Sequence, residues 1–375
     1  MTSAPHSEPH SEPHPELHLP SFDELAARAT VVALPMRVPF RGVRLREAMV
    51  FDAPTAWSEW APFVEYEAAE AATWLRSAIT FGWGPDASVR DSVAVNATIP
   101  AVDVSRDPEV IDALMQRYPG CTTVKIKVAE KGQTAQHDLN RIAAVRQWFT
   151  DNAGGAAATA HPTIRLDANG GWSVDEAVDV VTAAASNQGI DYVEQPCQSI
   201  DELAEVRRRL MRAGVFARVA ADEAIRKSGD PHAAVREVVD AGACDVVVLK
   251  VPPLGGVDVL LDVAADVARN GVAVTVSSAL DTAVGLGAGL RAAASLPTLT
   301  DDDGMLVEPQ PAGLATGSLF THDLARREII DGRMDARAVT PDPAALDDLE
   351  VTGARRDWWL NRLKECRHEL HRRGM

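Results

Sequence analysis

The chain has 375 residues, of which 46% are hydrophobic, and its formal net charge at pH 7 is −17. This length accommodates one barrel and a smaller domain, with enough apolar material for a core. The acidic balance argues against nucleic acid or an anionic membrane as a partner, since binding to either needs basic patches. It does not exclude an anionic substrate, because a bound cation and nearby lysines set the electrostatic field at a site.

Cysteine spacing and hydropathy predict a cytoplasmic location. The four cysteines are scattered without CxxC spacing, which favours reduced and mostly buried thiols. No stretch approaches 18 uninterrupted apolar residues, and no basic region followed by an apolar one opens the chain. The sequence leaves the oligomeric state open.

The first 91 residues divide into a tail and a small domain. Residues 1–20 repeat proline and histidine at four-residue intervals, so we expect a disordered tail. Strand patterns follow at Ala29–Met36 and Arg44–Phe51, and a helical pattern follows at Glu67–Ile79. Strands followed by a helix predict an α+β domain over residues 21–91.

From residue 92 onward, short hydrophobic strands alternate with helices. The predicted strands are Ser92–Ile99, Thr122–Val128, four that end at Asp167, Glu194, Asp222 and Lys250, then Val272–Ser277 and a weaker one at Met305–Val307. Alternation of this kind predicts a barrel of parallel strands over residues 92–325. We expect residues 326–375 to pack back onto the N-terminal domain.

Helix starts follow from local signals. Asp107 with Pro108 predicts an N-cap and a first helical residue. The pairs Ser173/Glu176 and Ser199/Glu202 have the spacing of capping boxes.

Three acidic residues end consecutive predicted strands. Asp167, Glu194 and Asp222 lie 27 and 28 residues apart, which matches one βα unit. Barrel enzymes place their site residues at the carboxyl ends of strands. An acidic residue there can also cap the next helix, but three in succession favour a shared metal site, because converging carboxylates repel without a cation between them. Oxygen ligands favour a hard divalent ion, Mg²⁺ first.

Lysines lie near both ends of this series. Lys125 and Lys127 face the same side of their strand, either into the barrel or out toward solvent. Inward, each would lower the pKa of the other by like-charge repulsion, and a lysine with a depressed pKa can act as a general base. Lys250 follows Asp222 by 28 residues and is either a strand-exit lysine reaching water or a second active-site amine.

Taken in order, these motifs resemble the enolase superfamily over nearly the whole chain after residue 28. The residues that carry the resemblance are Lys125-Ile126-Lys127, Asp167-Ala168-Asn169, Glu194-Gln195-Pro196, Asp222-Glu223, and Lys250 with Pro253-Leu254-Gly255-Gly256. A lysine on both sides of the site is typical of the muconate cycloisomerase-like group. Finer features resemble the actinobacterial o-succinylbenzoate synthases, namely 31–37, Asn96–Pro100, Ser277–Asp281 and Gly313–Phe320.

The resemblance implies an α/β fold, a (β/α)₇β TIM-like barrel with an α+β capping domain. It implies a small-molecule carboxylate substrate and Mg²⁺, with Mn²⁺ as an alternative ion, on Asp167, Glu194 and Asp222. The reaction implied is syn dehydration of 2-succinyl-6-hydroxy-2,4-cyclohexadiene-1-carboxylate to 2-succinylbenzoate through an enediolate, a step of menaquinone biosynthesis.

The resemblance also implies a role for each residue. Lys127 is the base and then returns the proton to the departing hydroxide, while Lys125 tunes Lys127. Lys250 stabilises the enediolate from the opposite face by a cation–π contact. Asn169, Ser277 and Ser278 are expected to bind the substrate.

Three rival readings stay open at this point. An N-acylamino acid racemase or dipeptide epimerase would use Lys127 and Lys250 as bases on opposite faces. A barrel that binds metal without catalysis would not need both lysines. A zinc hydrolase would need histidine ligands, and no HxH or HExxH sequence occurs.

Overall fold

The computed structural model describes residues 19–40, 43–86, 88–152, 162–186, 188–226, 230–300 and 305–375. Most of the predicted tail over residues 1–20 therefore lies outside the described residues. Within those residues, no helix is both long enough and apolar enough to cross a bilayer.

The N-terminal elements are α1 (Phe22–Ala27), β1 (Ala29–Phe40), β2 (Val43–Phe51), β3 (Ser58–Trp60) and α2 (Ala68–Trp83). The three strands form one antiparallel sheet in the order β1-β2-β3. The predicted strands and helix of this region are confirmed, although β1 extends four residues beyond Met36. We refer to β1, β2, β3 and α2 as the cap.

The elements of the central region follow in chain order. They are β4 (Ser92–Ala94), β5 (Ala97–Ile99), α3 (Val110–Met115), β6 (Thr123–Lys127), α4 (Ala135–Asp151), β7 (Thr163–Asp167), α5 (Val174–Ala185), β8 (Ile190–Glu194), α6 (Ile200–Arg212), β9 (Ala217–Ala221), α7 (Glu223–Arg226), α8 (Pro231–Asp240), β10 (Val246–Leu249), α9 (Val251–Leu254), α10 (Val257–Ala268), β11 (Ala273–Val276) and α11 (Leu286–Ser295).

The remaining elements are β12 (Leu299–Thr300), β13 (Leu306–Val307), a 3₁₀ turn at Gly317–Leu319, β14 (Ile329–Ile330), β15 (Arg333–Asp335), α12 (Pro343–Leu349) and α13 (Gly353–Arg372).

Strands β5 to β11 form one seven-stranded parallel sheet whose spatial order is the order of the chain. A short segment at Ala312–Gly313 closes this sheet, since it bridges Val95 at one edge and Ser277 at the other. Arg165 of β7 holds the segment from inside, because its guanidinium donates to the carbonyl of Pro311 at 2.6 Å. The architecture is thus the expected (β/α)₇β barrel with an α+β cap.

Two predicted strands need correction. Ser92–Ile99 is not one strand, because β4 leaves the barrel to pair with β15 while β5 joins β6. Met305–Val307 is not the closing strand: Leu306 and Val307 pair with β12 in an exposed hairpin. The closing segment lies a few residues later, and its glycine and proline residues hide it from a search for hydrophobic runs.

The predicted helix starts divide in the same way. Both capping boxes are confirmed at the starts of α5 and α6. The start predicted at Asp107 is wrong, because α3 begins at Val110. The Asp107 carboxylate instead accepts a hydrogen bond from the backbone N–H of Glu109 at 3.2 Å, which makes a turn ahead of the helix.

The C-terminal helix α13 packs against α2 and completes the hydrophobic core of the cap. Trp359 is fully buried there, makes an edge contact with Trp60 at 5.3 Å between ring centroids, and donates its indole N–H to Glu47 at 2.7 Å. The contact of α13 with the cap is therefore largely apolar, with a few buried polar bonds.

Replacing Trp359 by alanine is expected to lower the free energy of unfolding by roughly 3–5 kcal/mol, because it removes a fully buried indole and leaves a cavity. The neighbouring Trp358 is 36% exposed and mainly stacks on Arg355. Its replacement by alanine should cost only about 1 kcal/mol, the worth of an exposed cation–π contact. Urea denaturation of the two variants measures the difference, and equal losses would contradict the burial of Trp359.

Candidate active site

A cavity of about 600 Å³ opens at the carboxyl ends of the barrel strands, under the cap. Eight of the nine predicted site residues line it: Lys125, Lys127, Asp167, Glu194, Asp222, Lys250, Ser277 and Ser278. The two lysines of β6 therefore point into the barrel, and the outward alternative is wrong. The three carboxylates are almost completely buried, at 1% exposure each.

Strand register aligns the first acidic residues. Lys127, Asp167 and Glu194 are neighbours across β6, β7 and β8, so their side chains stand side by side. Asp222 follows directly after β9 and needs a separate support. Gln195 provides it, because its amide oxygen accepts the backbone N–H of Asp222 at 3.1 Å.

Tight turns carry the chain away from the strand ends. Asn169 and Gln195 have positive φ angles of 47° and 40°, a conformation that asparagine tolerates better than most residues. The second turn begins immediately after Glu194, and the first begins two residues after Asp167. The chain therefore turns away while both carboxylates stay directed into the cavity.

Lysine ammonium groups pair with all three carboxylates. Lys125 lies 3.1 Å from an oxygen of Glu194 and 3.1 Å from Asp167. Lys127 lies 2.6 Å from Asp167, and Lys250 lies 2.6 and 2.5 Å from the two oxygens of Asp222. The amines thus lie at both ends of the row of carboxylates, and together the six side chains balance three negative charges with three positive ones.

The same pairing bears on a metal ion. In the described part of the chain, no three His, Cys, Asp or Glu side chains stand close enough together to form a ready-made metal site. The donor set nevertheless fits a hard divalent cation: three buried carboxylates line one cavity, without histidine or cysteine. Their charge demands a cation, and the lysine ammonium groups meet that demand in this structure.

Burial raises the pKa of Glu194 to about 7; the negative charge of Asp167 adds to the rise, and the ammonium group of Lys125 opposes it. Burial alone would lower the pKa of Lys125, but the carboxylates of Glu194 and Asp167 outweigh it and hold that pKa above its ordinary value. The expected mutual lowering of the lysine pKa values is therefore wrong for Lys125.

Lys127 behaves as the sequence suggests. Burial lowers its pKa below the ordinary value; Asp167 opposes this effect, and the positive charge of Lys125 reinforces it. A lysine whose neutral form is favoured can accept a proton near neutral pH. The two lysines of the KxK pair are thus electrostatically distinct, with the proton-accepting character concentrated on Lys127.

The three residues expected to bind substrate are placed differently from one another. Ser277 and Ser278 line the cavity, and the hydroxyl of Ser278 lies 2.9 Å from that of Thr316. Asn169 is exposed and is not part of the cavity wall; its side chain contacts Lys127 at 2.6 Å and Glu223 at 3.1 Å. Its structural position is that of a partner of Lys127.

Several wall residues carried no chemical signal in the sequence. Phe63 comes from the cap, Leu280 from the turn after β11, and Leu319 from the 3₁₀ turn. They supply an apolar lining opposite the carboxylates. Thr316 and Leu319 lie within the motif Gly313–Phe320, so only the family resemblance drew attention to them.

Behind the cavity wall, a buried carboxylate joins the cap to the barrel. Glu59 of β3 accepts hydrogen bonds from the backbone N–H and the hydroxyl of Thr282. Burial raises the pKa of Glu59 to about 8, with a further contribution from the negative charge of Asp281.

This shift predicts a pH dependence of stability. In the unfolded chain Glu59 titrates near its ordinary 4.5, so between about pH 4.5 and 8 the folded protein holds a proton that the unfolded chain has lost. The stabilisation is complete below pH 4.5 and is lost as the pH rises through 8. Glu59→Gln should flatten this decline in urea denaturation between pH 5 and 9; identical slopes for variant and wild type would contradict the shift.

Two family models match the chain. One, described as enolase C-terminal domain-like, matches residues 109–338, and one described as enolase N-terminal domain-like matches residues 31–82. The first alone spans more than half of the chain and includes the six charged residues of the cavity.

Curated relatives cover almost the whole chain. The o-succinylbenzoate synthase of Mycobacterium ulcerans is 46% identical over 353 residues, which are 94% of this chain and 97% of the relative. That of Mycolicibacterium smegmatis is 44% identical over 350 residues, with 93% and 98% covered.

Solved structures show the same fold at low identity. Muconate lactonizing enzyme from Pseudomonas fluorescens matches with a TM-score of 0.65 at 18% identity, covering 86% of this chain and 98% of that one. The L-Ala-D/L-Glu epimerase from Bacillus subtilis matches with a TM-score of 0.64 at 18% identity, covering 84% and 96%. On the family models and the curated relatives together, the chain belongs to the enolase superfamily and, within it, to the o-succinylbenzoate synthase family.

Proposed function

We propose that this chain is a carbon–oxygen lyase that dehydrates 2-succinyl-6-hydroxy-2,4-cyclohexadiene-1-carboxylate to 2-succinylbenzoate, a step of menaquinone biosynthesis. One observation carries the proposal: Lys127 and Lys250 lie at opposite ends of a row of three buried carboxylates in one cavity. Such a site holds a carboxylate substrate between two amines. Family membership at 44–46% identity over most of the chain supports the same reaction.

Lys127 is proposed to remove the proton α to the substrate carboxylate. Its lowered pKa favours the neutral amine that this step requires. The protonated amine then donates to the departing hydroxyl group on the same face, so that one residue serves both halves of a syn elimination. Lys125 keeps its charge and disfavours protonation of Lys127 in the resting enzyme.

Enolase-superfamily o-succinylbenzoate synthases depend on a divalent metal. We propose Mg²⁺, with Mn²⁺ as a substitute, and Asp167, Glu194 and Asp222 as the residues that would hold it. When bound, the ion supplies positive charge that stabilises the negative charge developing on the substrate carboxylate. Lys125 and Lys250 are then available to the substrate, because their ammonium groups need no longer neutralise these carboxylates alone.

Lys250 is proposed to stabilise the enediolate from the face opposite Lys127. Ser277 and Ser278 are proposed to hold the succinyl group, since their backbone follows β11 along the cavity wall. Asn169 is proposed to contact the substrate only through its partner Lys127. The protein is proposed to act in the cytoplasm, with 21–91, 92–325 and 326–375 as its structural divisions.

The test is an absorbance assay with purified protein, the cyclohexadiene substrate and Mg²⁺. Formation of the aromatic product is expected, with loss of activity after chelation by EDTA and recovery on addition of Mg²⁺ or Mn²⁺. Full activity in the chelated enzyme would contradict the proposed metal dependence. No aromatic product under any metal condition would contradict the reaction itself.

The same pair of lysines favours one second candidate, racemisation of an N-acylamino acid or a dipeptide. That reaction needs a base on each face of the substrate, and Lys127 with Lys250 could supply both. Polarimetry distinguishes the two reactions, because racemisation changes optical rotation without forming an aromatic ring. Racemisation of an N-acylamino acid in the absence of any dehydration would make this the principal activity.

A further inference from the structure

The turn at Ala279–Thr282 forms part of the cavity wall and has a strained backbone. Ala279 and Leu280 line the cavity directly after Ser277 and Ser278. Leu280 has a φ angle of 63°, a left-handed conformation that costs a leucine roughly 1–2 kcal/mol. A residue remains in such a conformation only when its surroundings hold it there.

Arg46 of β2 is the strongest of those surroundings. Its guanidinium is buried, at 2% exposure, and it donates from Nε to the carbonyl of Leu280 at 3.0 Å. A terminal nitrogen of the same group donates to the carbonyl of Ala61 in the cap. One planar side chain thus connects the strained residue of the barrel to the cap.

The same guanidinium also supports the cap side of the cavity. It stacks over the ring of Phe63 at 4.4 Å, and Phe63 lines the cavity opposite the carboxylates. Glu59 holds the far end of the turn through the backbone N–H of Thr282 at 3.2 Å. Two residues of adjacent cap strands therefore fix both ends of the four-residue turn.

We propose that Arg46 is a positioning residue for the active site: it sets the turn at Ala279–Thr282 and the ring of Phe63 at the separation that the substrate requires. The role rests on the proposed function, because the substrate whose fit is at stake is the cyclohexadiene carboxylate. Arg46 does not line the cavity, so it acts through the residues that do.

The geometry distinguishes positioning from simple charge neutralisation. Arg46 faces two buried acids, Glu59 and Asp281, whose charges favour a cation at its position. A lysine would retain that charge. It has no planar fork, so it cannot donate to Leu280 and Ala61 while stacking on Phe63. Arg46→Lys therefore tests the bridge and leaves the charge in place.

The first measurement does not depend on activity. Hydrogen–deuterium exchange of the segment Ser277–Ala283, followed by mass spectrometry, should be at least about tenfold faster in Arg46→Lys than in the wild type, which corresponds to a loss of about 1.4 kcal/mol of local protection. The matched control is Arg76→Lys. Arg76 also joins the cap to the barrel, through Gly255 and Asp258, but it lies away from this turn. The control should leave exchange of the segment unchanged.

Kinetics provide the second measurement. Arg46→Lys should raise KM for the cyclohexadiene substrate about tenfold, change kcat by less than about threefold, and leave Mg²⁺ affinity unchanged in calorimetry. Wild-type exchange and a wild-type KM in this variant would overturn the proposal. If the wild type shows no dehydration, the proposed function fails, whereas the exchange result still decides the role of Arg46.

A further variant covers the case in which Arg46→Lys does not fold. Thr282→Val removes the hydroxyl donor to Glu59 and keeps the size of the side chain. It should also accelerate exchange of Ser277–Ala283, because it loosens the other end of the turn. Unchanged exchange in this variant would show that the cap does not hold the turn.

Discussion

Replacing Lys127 by alanine is expected to reduce kcat for dehydration by roughly 10³-fold or more, because the variant lacks the group that accepts and then returns the proton. The affinity for Mg²⁺ should change little, since the three carboxylates remain. The rate of aromatic product formation measures the first effect, and isothermal titration calorimetry measures the second. Lys131, an exposed lysine four residues away, provides the matched control as Lys131→Ala.

The outcome separates catalysis from structure. Because Lys127 pairs with Asp167 at 2.6 Å, its removal also leaves that carboxylate with less compensation. Unchanged thermal denaturation with lost turnover would assign the effect to chemistry. Wild-type turnover in Lys127→Ala would mean that another group is the base.

Replacing Asp222 by asparagine is expected to weaken Mg²⁺ binding by roughly 100-fold or more. Loss of even an outer partner of a metal ligand typically costs 10–100-fold, and this substitution removes a charge from the proposed ligand set itself. The backbone should stay in place, because Gln195 holds the N–H of residue 222 and not its side chain. Calorimetric titration of Mg²⁺ measures the affinity.

Glu237→Gln is the control for that experiment, since Glu237 is an exposed acid on α8. It removes the same charge from the protein and should leave Mg²⁺ affinity unchanged. If Asp222→Asn bound Mg²⁺ as tightly as the wild type, the proposed ligand set would be wrong.

Residues whose placement depends on local rules were the predictable part of the site. Asp167, Glu194, Asp222 and Lys250 follow short strands at a constant interval, so their common edge follows from the βα repeat alone. The capping boxes at Ser173 and Ser199 are equally local. Each needs only a few neighbouring residues to form.

Features that depend on distant contacts could not be predicted in this way. The interruption between β4 and β5 exists because β4 pairs with β15, more than 230 residues later in the chain. Phe63 reaches the cavity only because the cap docks on the barrel. The raised pKa of Lys125 follows from the spacing of three side chains, which no sequence interval specifies.

The long reach of these contacts has a consequence for biosynthesis. Arg362 of α13 donates to the carbonyl of Phe63, 299 residues earlier in the chain, and the barrel closes only when the segment at Ala312–Gly313 is available. At a translation rate of roughly 5–20 residues per second, the cap must wait on the order of tens of seconds for its last helix. During that interval β5 and β11 are unpaired sheet edges, so the nascent chain is open to aggregation until its C-terminus leaves the ribosome.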